Sequence, residues 1–294
     1  MKNNIRQYSR FHSSRSNFNK LHSTLVELGP EPYVMPFWQG VNEKVIKSFK
    51  PTPKWGFLSN RALKDTMFVL GDSHWLNEQI KYLKKRVKNY SDIVAEDSVG
   101  KPSLLPPPNE KTSHNTIHHL YHQEFFFDQA GIKASKISSV VEWGGGYGNF
   151  AKIWMRRFQK SDTVTYTIID TSLFCTIQWL YLTSIFGKNT VNLLSSKDDK
   201  IIKGKINLVP LALLDHVKIK GDLFVSTWGL SESAKEAQDY VVKQDWFGAK
   251  HLLIGFQDSY TDLPYAERLG TLAKKDGAKI YDIAFIPNNH YAIK

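Results

Sequence analysis

From residue 137 onward, short apolar runs alternate with longer segments of helical spacing, the pattern of βαβ units that build a parallel sheet. The pattern predicts strands at 137–143, 164–170, 206–209, 222–227 and 251–257, and helices at 149–158, 173–186 and 233–242. Residues 190–194 compete with 206–209 for the third strand and are read as part of an insertion. Two last strands, 279–286 and 290–293, flank Pro287-Asn-Asn289 and are expected to form an antiparallel hairpin at one edge. The fold class is therefore α/β, a mostly parallel seven-stranded sheet.

Before residue 137 the pattern is less regular. Residues 101–109, Lys-Pro-Ser-Leu-Leu-Pro-Pro-Pro-Asn, form a stiff connector, since successive prolines continue neither a helix nor a central strand. They separate an N-terminal region, 1–109, from the α/β domain, 110–294. Turns are expected at 30–36 and 51–53, a helical run at 60–88 broken near Gly71-Asp72, and a helix at 113–130. The extension is thus largely helical, a candidate cap or lid. Residues 173–186 are interrupted by Thr176, Gln178 and Thr183, so they read as a buried helix rather than a membrane span.

Composition narrows the class. Hydrophobic residues make up 41% and aromatics 13% of 294 residues, enough for a packed core. The single cysteine, Cys175, permits no internal disulfide and no zinc spacing, and reads as inert packing. The start has no apolar signal segment, so a reducing cytoplasm is expected. Residues 1–26 carry Lys2, Arg6, Arg10, Arg15 and Lys20 without an acid; this fits a transit peptide but is read as a solvated arm. The net charge of +11 could draw nucleic acid, a nucleotide-sugar, an acidic glycan or an anionic membrane. Lys81, Lys84, Lys85, Arg86 and Lys88 are read as a solvated helix face.

The strongest local signal is Val140-Val-Glu-Trp-Gly-Gly-Gly-Tyr-Gly-Asn149 at a strand-to-helix junction. Gly144, Gly146 and Gly148 permit a tight turn and close approach of a ligand to the main chain. Asp170, ending the next strand, suits a carboxylate that accepts ribose hydroxyls. A dinucleotide fingerprint would need glycine at Asn149, so the spacing is instead E-x-G-x-G-x-G.

That motif resembles the first motif of class I S-adenosylmethionine-dependent methyltransferases. Together with Tyr166-Thr-Ile-Ile-Asp170 and Asp222-Leu-Phe-Val-Ser-Thr-Trp-Gly-Leu-Ser-Glu232, it is similar to a family of sugar O-methyltransferases, from about Ser113 to the end. Thr171-Ser172 stands where that family's pattern has Leu-Pro. The resemblance implies a Rossmann-like methyltransferase fold and S-adenosylmethionine as cofactor. It places Glu142 near the methionine end and Asp170 at the ribose.

A sugar hydroxyl is a poor nucleophile, so a general base or a divalent metal is expected to help methyl transfer. In the loop after the fourth strand, Glu232 is the first candidate base, with Ser231 to orient the acceptor and Trp228 to pack on a ring. Ser231 and Glu232 could equally cap and begin the next helix. His114, His118 and His122 share one helix face; three ligands on one helix surround an ion poorly, so no metal is assigned. His118 or His119 is the second candidate base, and Asn115 a contact for the cofactor carboxylate. Asp258, Tyr265 and Arg268 follow the fifth strand as candidate acceptor contacts, Arg268 for an anionic acceptor.

The expected function is methylation of a sugar hydroxyl on a surface polysaccharide or nucleotide-linked sugar. Two other readings stay open: a nucleic-acid or small-molecule methyltransferase, prompted by charge and by Tyr8, Phe11 and Phe18 in the basic arm, and a non-catalytic cofactor-binding partner.

Overall fold

A computed structural model describes residues 2–67, 73–158 and 164–294. One sheet holds β1 (Ser139–Trp143), β2 (Thr165–Asp170), β3 (Val191–Leu193), β4 (Ile206–Pro210), β5 (Leu223–Thr227), β6 (His251–Gln257), β7 (Lys279–Asp282) and β8 (Asn289–Ile293). Their spatial order is β3-β4-β2-β1-β5-β6-β8-β7. Pairs from β3 to β6 are parallel, and β8 lies antiparallel between β6 and β7.

The sheet therefore has eight strands, not the expected seven. The two segments taken as alternatives for one strand are neighbours, paired from Val191↔Ile206 to Leu193↔Leu208. Asn207 fixes this arrangement. Its Oδ1 accepts from Asn192 (2.9 Å) and from the Ile202 N–H (2.8 Å), closing the loop between the strands on a buried amide.

The helices, in chain order, are α1 (Lys2–Arg15), α2 (Phe18–Val26), α3 (Pro36–Ser48), α4 (Arg61–Met67), α5 (Ser73–Arg86), α6 (Tyr90–Val94), α7 (His114–Ala130), α8 (Asn149–Phe158), α9 (Ser172–Phe186), α10 (Lys235–Lys243), the short turn α11 (Asp245–Gly248) and α12 (Arg268–Lys275). The break expected near Gly71 and Asp72 lies outside the described residues. Lys81, Lys84, Lys85, Arg86 and Lys88 are exposed.

Successive strand residues join opposite cores. Val140, Ile168 and Val225 pack on one face, and their neighbours Val141, Ile169 and Phe224 on the other. Both faces are covered, which is why the strands read as continuous apolar runs.

α9 shows how the N-terminal region is used. It is buried on nearly every side, although one face of a helix lying on a sheet normally meets water. α1 and α2 supply the missing cover: Phe11, Phe18 and Leu25 are fully buried in the same core as Tyr181 and Leu182. Arg10 donates to the Ile185 carbonyl (2.8 Å) and Ser14 pairs with Thr183 (3.2 Å). The expected solvated arm is thus a packed layer, and two of the three aromatics offered to nucleic acid are core residues. Only Tyr8, at 51% exposure, faces solvent.

Strand order reverses between β1 and β5, because the chain progresses outward from β1 through β2 and β4, then restarts at β5 on the other side. The helices that follow these two strands, α8 and α10, pack into opposite cores, and a crevice opens beyond the strands' carboxyl ends.

Candidate active site

The two loops meet at the crevice floor. Gly144 follows β1 at φ +75°, and a Cβ there would lie 2.7 Å from the Gly229 Cα. The first glycine of the motif is thus required by a backbone crossing as well as by its left-handed conformation. Ahead of Gly229, Trp228 also has positive φ (69°), and its indole N–H donates to Asn289 Oδ1 (2.5 Å). This strain in a bulky residue turns the Trp228 ring inward, against α7.

Above the crossing lies a cavity of about 220 Å³. Glu142, Gly144 to Gly146 and Asp170 form one side, Trp228 and Glu232 another, and Asn115, His118 and His119 of α7 a third. The N-terminal region supplies the fourth through Tyr33, Met35, Trp38, Thr66 and Met67. Among the described lining residues there is no lysine or arginine.

The acids of this cavity lack a cation. Burial pushes Glu142 up to about 8, against the Tyr166 hydroxyl that donates to it (2.9 Å) and with the help of nearby Asp170. Asp170 is raised to about 7, mainly by burial; its oxygens accept from the Thr171 N–H (2.8 Å) and Gln178 (2.8 Å), and Glu31 adds like charge. Glu232 is raised to about 7 by burial, opposed by a hydrogen bond from Trp38.

α7 is held rigidly over this space. Ser113 caps it, accepting from the Thr116 N–H (3.1 Å), and Glu96 ties the same turn through Ser113 and Thr116 to Lys152 (2.8 Å). Asn115 donates to the Tyr147 hydroxyl (3.1 Å), leaving its own carbonyl oxygen without a partner. His118 is held at Nδ1 by Gln79 (3.3 Å) and stacked on Trp228 at 13°, and its Nε2 is also unpartnered. Burial, with His119 and His114 nearby, holds the His118 ring well below the usual imidazole range, so it is neutral. Two buried polar atoms on residues lining the cavity are thus left without a partner within the protein.

Of the residues singled out from the sequence, Glu142, Gly144, Gly146, Asp170, Asn115, His118, His119, Trp228 and Glu232 converge on the cavity. Gly148, Ser231, Asp258, Tyr265, Arg268 and His122 do not line it. Gly148 faces α9, where a Cβ would press on Leu182 at 3.1 Å, so it serves helix packing. The Ser231 hydroxyl is spent on the Trp228 carbonyl (2.8 Å) and Gln257 (2.8 Å). Nor does Ser231 cap the next helix, which begins only at Lys235 after Ala234. Asp258 pairs with His290 (2.9 Å), Tyr265 is 42% exposed, and Arg268 is held by Gln238 and Asp239. His122 turns to the Tyr291 hydroxyl (2.5 Å). Among the described residues no group of His, Cys, Asp or Glu is placed to hold a metal.

Sequence reasoning missed Tyr33, Met35, Trp38, Thr66, Met67 and Gln79. The one available signal was Pro36, a helix-starting proline that places Trp38 in the first turn of α3.

No family model and no curated protein matches the chain. Among solved structures it is similar to the pyocyanin biosynthetic protein PhzM, at 12% identity and TM-score 0.39, over 61% of this chain and 56% of that one. It is similar to the mitomycin 7-O-methyltransferase MmcR at 10% and 0.39, over 79% and 69%. A SAM dependent methyltransferase from Aquifex aeolicus aligns at 17% and 0.38, over 58% and 88%. The chain spans just over half the length of PhzM. At such values the fold is defined by the strand order, and the site by its cavity, rather than by these likenesses.

Proposed function

We propose that this chain is an S-adenosylmethionine-dependent O-methyltransferase whose acceptor is a sugar hydroxyl. The observation that carries the reading is a cavity at the strand-order switch point with acids at Glu142, Asp170 and Glu232 and no lysine or arginine among its described lining residues. A cavity with unneutralised carboxylates favours a cation, and the sulfonium cofactor is one.

The residues fit that group. Asp170 ends β2 at the cavity, a position that suits a carboxylate accepting a ribose diol; the turn 144–146 lets backbone approach closely, and Asn115 and His118 bring open polar atoms from α7. When bound, the cofactor supplies an electrophilic methyl group. The chain has to orient the acceptor, exclude water and remove one proton. Trp38 and Trp228 present aromatic surface to a sugar ring. Glu232, raised to about 7 and held by Trp38, would take the proton of the acceptor hydroxyl as the methyl group passes from the sulfonium sulfur to that oxygen. His118 is the second candidate base.

The same lining argues for an acceptor neutral at its reacting end. A phosphate or carboxylate would enter against these acids with no cation to meet it, and Arg268 is engaged elsewhere. The test is methyl incorporation from labelled S-adenosylmethionine into neutral glycans, acidic glycans and RNA. Label in a neutral glycan supports the reading. Label only in RNA or only in acidic glycans overturns it.

A further inference from the structure

The wall formed by residues 29–35 has features that the binding reading does not use. Two positive φ values lie along it, Gly29 at +133° and Tyr33 at +72°. Nothing lies within 4 Å of a Cβ placed on Gly29, so glycine serves backbone freedom there and not packing. Between these points the Glu31 carboxylate accepts the backbone N–H of Ser172. On the far side the Tyr33 carbonyl accepts from the Ala234 N–H (3.1 Å). The segment therefore runs as a strap from the start of α9 to the loop before α10. Tyr33, Val34 and Met35 line the cavity beneath it.

Glu31 makes the contact that closes the strap beside Asp170. It brings a carboxylate toward Asp170, an acid already raised by burial, an electrostatic cost that weakens the fastening and suits a contact that must open. Ser172 is the first residue of α9, so its N–H has no partner within the helix and is free to take this one.

We propose that Glu31 is a positioning residue: through the Ser172 N–H it fastens residues 29–35 across the Asp170 end of the cavity, and release of this latch controls passage of the adenosyl ligand. The proposal rests on the reading that the cavity binds S-adenosylmethionine.

The geometry offers a clean substitution. Proline is favoured at the first helical position, and Thr171 already has the extended backbone (φ −63°, ψ 157°) that a following proline demands. Ser172→Pro thus deletes the donor and leaves α9 intact, whereas Ser172→Ala keeps the N–H. Glu31→Ala deletes the acceptor, and Glu31→Gln retains one. Trp38, Trp143 and Trp228 line the cavity, so stopped-flow tryptophan fluorescence of the full chain with S-adenosylmethionine, in the absence of acceptor, reads both rate constants.

S172P and E31A should each accelerate dissociation on the order of tenfold, the scale of one hydrogen bond to a charged group. S172A and E31Q should stay close to wild type, and the E31A/S172P double variant should be no faster than either single. Unchanged rates in both S172P and E31A, with binding intact, overturn the latch, as do effects that multiply in the double variant. Loss of S172P through misfolding, seen by circular dichroism, leaves E31A and E31Q to decide. If the wild-type chain itself does not bind the probe, the cofactor reading fails and the latch with it.

Discussion

Two sets of buried acids lie close together in this protein and behave in opposite ways. Glu96, 3% exposed at its side chain, would be raised by burial alone, but Lys152 and the Ser113 and Thr116 hydroxyls outweigh that and hold it below the usual carboxylate range. Glu142, Asp170 and Glu232 are raised by burial to about 8, 7 and 7, with no lysine or arginine among the described lining residues to oppose it. The difference separates an acid paired within the fold from acids that, on the proposed function, a cationic ligand would pair. Glu96 locks α7 to α8, and the cavity acids border the space that lock holds open.

The sharpest way to break the comparison is at Lys152. Lys152→Met leaves Glu96 buried and unpaired, and should cost about 3–5 kcal/mol in thermal or urea unfolding. Asp170→Asn removes a charge with no cationic partner and should leave the apo protein as stable as wild type or more so. Equal destabilisation by both would erase the distinction. Glu232→Gln comes next. It should lower kcat by about a hundredfold or more with little change in melting temperature, as expected for loss of a general base.

A smaller effect separates the two sets by pH. A carboxyl raised in the folded state binds protons that the unfolded chain has released, so its contribution to stability falls as pH rises from about 4 toward its folded value. For the cavity acids that window ends near 7 to 8. Glu96 has the reverse sign, and its contribution is lost on acidification below its ordinary value of 4.5. A cationic ligand relieves only the first set. The thermal shift produced by S-adenosylmethionine should therefore grow between pH 6 and pH 8; a shift that shrinks would contradict the assignment. The smallest effect belongs to Arg268, whose partly exposed pair with Asp239 is worth ~0–1 kcal/mol. Arg268→Ala should leave cofactor affinity and KM for the acceptor unchanged.

The α/β half was legible because both sheet faces are buried, so that each strand reads as a continuous apolar run between helical segments. Glu142, Asp170 and the glycine turn follow from local strand-to-loop geometry, so sequence spacing reaches them. The N-terminal layer was misread because its apolar positions are few: Phe11, Phe18 and Leu25 recur every seven residues, but Gln7 and Ser14 fill the intervening face. Those two are buried and hydrogen-bonded to distant partners, Asp97 (2.6 Å) and Thr183 (3.2 Å), which no local pattern displays. Arg268 and Asp258 lie outside the cavity lining for the same reason, each engaged by a residue remote in sequence. α9 did carry the clue, since a helix apolar all round requires cover on its outer side.

Calorimetric titration of the full chain with S-adenosylmethionine, beside Asp170→Ala, tests the central claim most directly. One site per chain in the wild type, weakened by about a hundredfold or more in the variant through loss of charge-assisted hydrogen bonds, is the predicted result. No heat from the wild type at millimolar cofactor, or equal affinity in both proteins, would contradict it.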